Sequence, residues 1–254
     1  MSPSPKLMFD LTNKVAVVTG ASSGLGRRAA TVLAAAGASV VGVARRKELL
    51  EKWSSKAPGD TAIVPWDLTD RSSLVDLADR VSEPFGPPTI LVHAAGINTR
   101  QHADEVTHNG WDVTMSLNLS TPFFLSQALV PAMKEEGWGR IVTFASKQSL
   151  RAVPGGVAYG ASKAGVAQLT RSMAEAWSRD GINANAIGPG VFDTELREAT
   201  FADQNRAAQC ASLTCIGRNG TVQDIDGPLL FLCSDASTYV TGQVLMVDGG
   251  MSAK

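Results

Sequence analysis

Short apolar runs and helical periodicities alternate along almost the whole chain. Val15-Ala16-Val17-Val18 is a β-branched run bounded by glycine and reads as a strand buried on both faces. After a glycine-rich turn, Ala29, Ala30, Val32, Leu33 and Ala36 recur at helical spacing, and Gly37 stops the helix. The alternation repeats, with strands near residues 14, 39, 61, 89, 140, 182 and 243. It predicts an α/β fold: one domain built on a doubly wound parallel sheet with helices on both faces. From about Asp193 to Arg218 the rhythm breaks into two short helical pieces with weak apolar faces, Glu195 to Thr200 and Gln204 to Cys210. Open α/β sheets bind ligands at the carboxyl ends of their strands, and an insertion there (193–218) is placed to act as a lid. The helix from about Tyr159 to Asp180 carries more apolar surface than one core face needs, which points to deep burial or a subunit interface.

The turn after the first strand reads Thr19-Gly20-Ala21-Ser22-Ser23-Gly24-Leu25-Gly26. Strand, glycine turn and helix in that order form the context in which such a motif holds a dinucleotide diphosphate, as in a Rossmann sheet. Gly20 permits the sharp turn, Gly24 and Gly26 permit close approach, and the free amides at the helix start favour negative charge. The second strand, Ser39 to Ala44, ends without the acid that would bind the ribose 2′-hydroxyl of NAD. Arg45 and Arg46 follow it. A guanidinium suits a 2′-phosphate, which favours NADP(H) over NAD(H); the alternative is that both arginines are solvated residues opening the next helix.

Three further residues carry proton chemistry. Tyr159 and Lys163 stand one helical turn apart on one face. A phenol titrates near ~10 in water, and an ammonium one turn away is expected to pull it toward neutrality. Ser146 can then hold a substrate oxygen against the phenol.

These residues, in this order, resemble the short-chain dehydrogenase/reductase family over nearly the full chain, and the resemblance implies the following roles. Thr19 to Gly26 meets the pattern T-G-x-x-x-G-x-G, with Gly20, Ser22, Ser23, Gly24, Leu25 and Gly26 at the cofactor. Asp67-Leu68 looks like the pair that touches the adenine, and Pro189-Gly190, Phe192 and Thr194 resemble the segment bordering the nicotinamide. Asn118 organises a proton-relay water; Ser146, Tyr159 and Lys163 form the catalytic set, the last two also touching the cofactor. His93-Ala94-Ala95-Gly96 stands where the family often has N-N-A-G, so a bracing asparagine is missing at Ala94. A homotetramer is implied too. Pro189 to Leu196 and the ending Val247 to Met251 look most like the gluconate 5-dehydrogenase branch.

Composition narrows the setting. At 254 residues, 44% hydrophobic and 19% charged with net charge −1, the chain suits one globular domain and offers nucleic acid little electrostatic attraction. No apolar stretch approaches the ~18 residues of a membrane span. Met1 to Lys6 lacks the apolar core of a secretory signal and reads as a frayed tail. Cys210, Cys215 and Cys233 show neither metal-ligand spacing nor a disulfide framework, so no metal is expected and reduced thiols in a cytoplasmic enzyme are. His93 reads as a buried imidazole. The substrate pocket is expected from Asn98, Arg100, Lys147, Gln148, Arg151 to Pro154 and Phe192 to Arg197. Its polarity favours a sugar acid or polyol over a 3-oxoacyl thioester, which the same catalytic motifs also serve. A non-catalytic dinucleotide-binding regulator is disfavoured by the full catalytic set.

Overall fold

A computed structural model of the chain describes residues 7–254; Met1 to Lys6, read above as a tail, lie outside the described residues. Seven parallel strands form one sheet in the order β3-β2-β1-β4-β5-β6-β7. They are β1 (Val15–Thr19), β2 (Ser39–Ala44), β3 (Thr61–Pro65), β4 (Ile90–His93), β5 (Gly139–Phe144), β6 (Ile182–Pro189) and β7 (Val244–Val247). Each lies at an expected position. The order reverses at β1, which pairs with β2 on one side and β4 on the other. Such a reversal opens a crevice beyond the strand ends, where α/β sheets take ligands.

Two apolar layers sandwich the sheet. On one face α1 (Gly24–Ala35), α2 (Lys47–Ser54) and α9 (Asp226–Cys233) bury Ala30, Leu33, Leu50, Trp53, Leu229 and Leu232 against the strands. On the other face α3 (Leu74–Ser82), α5 (Thr121–Glu136) and α6 (Val157–Trp177) bury Leu77, Leu125, Met133 and Met173. Strands covered on both sides need continuous apolar runs, and the central strands have them. At the amino end of β5, Arg140 is 2% exposed, stacked 4.4 Å from the Trp138 ring and donating to Ser234 O. That buried cation pins the end of the sheet remote from the crevice.

Two departures from regular helix matter for the site. Between α4 (His108–Met115) and α5 the chain makes a π-helical turn, Ser116–Ser120, which carries Asn118. Between β6 and α9 lies the irregular insertion, with a 3₁₀ turn at Glu195–Arg197 followed by α7 (Glu198–Phe201) and α8 (Gln204–Ser212). Its helical pieces bury no residue, as weak apolar faces require. Among the described residues no helix is long and apolar enough to cross a membrane.

Candidate active site

The crevice at the β1/β4 reversal is a cleft lined by Arg45 and Arg46, by the glycine turn and by Tyr159. Its floor is the glycine turn. Gly20 has a left-handed φ of +74°, and a Cβ there would stand 2.8 Å from Ala95 N. A Cβ on Gly26 would stand 2.3 Å from Gly20 O, so α1 can lie against the turn only without a side chain. Ser23 takes the N-cap position of α1 but makes no side-chain cap, leaving the first amides of the helix without that acceptor. With alanine at position 94, the loop after β4 is tied to the end of β1 by Ala95 N, which donates to Thr19 Oγ1 at 3.2 Å.

At the inner end, β5 delivers Ser146 and α6 delivers Tyr159 and Lys163. Ser146 is extended, and its hydroxyl accepts from Gln148 N at 3.1 Å, which fixes its direction. Tyr159 is 8% exposed; burial pushes its phenol up, while the hydrogen-bonded Ser146 hydroxyl and the Arg197 guanidinium pull it down. Arg197, from the insertion, lines the same cleft as the phenol and Lys163. Lys163 Nζ sits 5.7 Å from the Tyr159 ring centroid and donates to Phe144 O at 2.6 Å. Burial lowers that amine to about 8, so it is a weaker cation than its position in sequence promised. Asn118 Nδ2 donates to Ile97 O and its Oδ1 accepts from Ile97 N, both at 2.9 Å, while Nδ2 also reaches Ser162 Oγ. The π-turn aims this side chain across to the loop after β4, beside Gly96.

A family model described as enoyl-(acyl carrier protein) reductase matches residues 20–252. The gluconate 5-dehydrogenase of Gluconobacter oxydans is 40% identical over 96% of this chain and 97% of its own length. The chain belongs to the short-chain dehydrogenase/reductase family. The 2-dehydro-3-deoxy-D-gluconate 5-dehydrogenase of Dickeya dadantii is 38% identical over 97% of this chain and 98% of its own. A gluconate 5-dehydrogenase from Burkholderia cenocepacia, solved with NADP and tartrate, superposes with a TM-score of 0.91 at 33% identity, covering 98% and 99% of the two chains. This short-chain dehydrogenase/reductase is therefore an oxidoreductase that moves hydride between a nicotinamide cofactor and a secondary alcohol or ketone.

The residues present fit that cofactor. Gly20, Ser22, Ser23, Gly24, Leu25, Gly26, Arg45, Asp67, Leu68, Ala94, Ala95, Gly96, Pro189, Gly190, Phe192 and Thr194 all line the cleft with Ser146, Tyr159 and Lys163. The uncapped start of α1 agrees with a dinucleotide diphosphate, and the second strand ends at Ala44 without an acid of its own. Asp67 Oδ1 is taken by Thr69 N at 3.0 Å and Thr69 Oγ1 at 2.8 Å, bonds that hold its carboxyl low. His93 is 2% exposed, bonded through Nε2 to Ser126 Oγ and lowered by burial to about 3, a neutral core imidazole in this reductase.

The expected substrate wall needs correction. Asn98, Arg100, Lys147, Gln148 and Arg151 do not line the cleft. Arg100 donates to Leu196 O, Arg151 to Met251 O at 2.8 Å, and Lys147 Nζ lies 3.1 Å from Met251 Sδ. Buried Gln148 lies beside Gly156. These side chains tie the insertion and the C-terminal turn to the body of the enzyme. Of the expected wall, Phe192 and Thr194 to Arg197 do line the cleft, and Trp66, Thr69 and Leu117 complete it. Arg46, which stood beside Arg45 in sequence, donates to Ser23 Oγ at 2.9 Å and Ser22 Oγ at 3.2 Å. No local pattern singles it out, because its partners are 23 and 149 residues away.

Proposed function

We propose that this enzyme interconverts a secondary alcohol and a ketone on a hydroxylated carboxylate or polyol, using NADP(H) in preference to NAD(H). The carrying observation is that one cleft brings the Ser146 hydroxyl, the buried Tyr159 phenol and the partly buried Arg197 together with the glycine turn. In ketone reduction the phenol gives its proton to the carbonyl oxygen, and burial keeps it protonated until then. Ser146 directs that oxygen by hydrogen bonding. The bound nicotinamide supplies or accepts the hydride at the carbon. Lys163 and Asn118 hold the surrounding backbone through Phe144 O and Ile97, and Lys163 offers a titratable amine at the inner end of the cleft. Arg197 binds the carboxylate of an acidic substrate and stabilises negative charge near the reacting oxygen. The Burkholderia cenocepacia gluconate 5-dehydrogenase was solved in complex with NADP and tartrate, which supports a small hydroxylated carboxylate and the cofactor preference. All three cysteines are free, in keeping with a cytoplasmic setting. Trp111 and Phe124, exposed on α4 and α5, support helix pairing in a homotetramer. Light scattering on the purified chain measures that assembly.

Initial rates against gluconate, 2-dehydro-3-deoxygluconate, threitol, glycerol and acetoacetyl thioesters, each with both cofactors, test the reading. A sugar acid or polyol should give the highest kcat/KM. Turnover confined to the thioesters would install the 3-oxoacyl reductase reading in its place.

A further inference from the structure

Arg46, at the adenosine end, already holds an anion. Its Nη1 meets Glu195 Oε1 at 2.5 Å and its Nη2 meets Oε2 at 2.8 Å, a paired geometry that a phosphate would also take. Nη2 further donates to the hydroxyls of Ser22 and Ser23 in the glycine turn. Glu195 belongs to the first turn of the lid, just after Thr194, whose side chain lies against Gly24. Arg46 and Ser23 hold the Glu195 carboxyl down to about 2, so it remains an anion at any working pH. Both side chains are about half exposed, which leaves the pair weak and within reach of a competing ligand.

We propose that Glu195 is an internal competitor for the cofactor's 2′-phosphate, and that binding this phosphate at Arg46 releases the lid's first turn. The inference rests on the dinucleotide reading of the cleft. A 2′-phosphate carries more charge than a carboxylate and suits the same fork, so it displaces Glu195. A ribose with a free 2′-hydroxyl leaves the pair intact. The preference for NADP(H) is therefore smaller than Arg46 alone would give, and the lid is looser with one cofactor than with the other.

Binding of 2′,5′-ADP and 5′-ADP, measured by calorimetry without turnover, separates the possibilities. Glu195→Gln should tighten 2′,5′-ADP about three- to fivefold, the range an exposed ion pair allows, and change 5′-ADP less than twofold. Arg46→Gln should weaken 2′,5′-ADP at least about tenfold relative to 5′-ADP. Hydrogen exchange supplies the second readout: 2′,5′-ADP should speed exchange in residues 195–201 of the unmodified enzyme, and 5′-ADP should not. In Glu195→Gln those amides should exchange fast with or without ligand. An unchanged affinity ratio in Glu195→Gln, or protection of 195–201 by 2′,5′-ADP, overturns the proposal. So does Arg45→Gln abolishing the 2′-phosphate preference while Arg46→Gln leaves it intact. If neither fragment binds, the nucleotide reading fails and this inference fails with it. Binding of both with no difference among variants removes the latch alone.

Discussion

Around Gly20 to Gly26 backbone rests on backbone: β1 is buried from Ala16 to Thr19, Ala21 has no exposure, and Ala95 N closes onto Thr19. A few residues across the cleft, none of the three helical pieces between Glu195 and Ser212 buries a residue. The insertion is tied down by the Arg46–Glu195 pair, by Arg100 on Leu196 O, and by Cys215 N on Gly249 O at 2.7 Å. Close packing tolerates few alternatives and holds its geometry to fractions of an ångström. Exposed ion pairs and single hydrogen bonds contribute little each and yield to ligands. The glycine turn is thus the closely packed side of the cleft, and the insertion is held by few and exposed contacts.

If the floor carries the chemistry, Tyr159→Phe should show the largest effect. Loss of the transferred proton should cut kcat by about 10²–10⁴-fold, roughly 3–5 kcal/mol, with dinucleotide affinity nearly unchanged. A variant keeping more than about a tenth of the turnover would move the acid/base role elsewhere.

Lys163→Met tests the floor's electrostatics through stability. The amine falls from its ordinary 10.5 to about 8 in the folded enzyme, so between pH 8 and 10.5 the unfolded chain binds a proton that the native one lacks. The enzyme should therefore gain stability relative to Lys163→Met as pH rises through that window, by about 3 kcal/mol at most, and lose the gain again below pH 8. Urea unfolding of both proteins at pH 7.5, 9 and 10.5 measures it; a constant difference would mean that the lysine is not held as a buried amine.

On the lid, Arg197→Ala should raise KM for a sugar acid, at a cost of about 1.5–3 kcal/mol in kcat/KM, and spare a neutral polyol. Equal losses on both would make this arginine structural.

The comparison itself is sharpened by two conservative changes. Gly26→Ala drives a methyl into Gly20 O and should destabilise by about 1–3 kcal/mol. Arg206→Ala, on the exposed face of α8, should stay within about 0.5 kcal/mol. Thermal unfolding of the pair would contradict the contrast if the two shifts were alike.

Much of this was legible in the chain. Strands covered on both faces demand apolar runs, and helices against them demand a 3.6-residue period, so the sheet and its helices could be read one element at a time. The glycine turn was readable because Gly26 answers a contact made within the turn itself, at Gly20 O, although the contact that bars a side chain at Gly20 comes from Ala94 and Ala95 after β4. Ser146, Tyr159 and Lys163 were found because two of them share a helix turn and all follow a motif. What the tertiary structure decided was where long polar side chains point. Arg100, Lys147 and Arg151 stood at the right loops but turned to Leu196 and Met251, whereas Arg197, expected with them, does line the cleft. The ammonium of Lys163 likewise turned to Phe144 O, and burial lowered its pKa to about 8. A long side chain on a loop is directed by partners a hundred or so residues distant, and its energy depends on burial that no local pattern encodes; periodicity reports which face is apolar, and says nothing of which cation meets which oxygen.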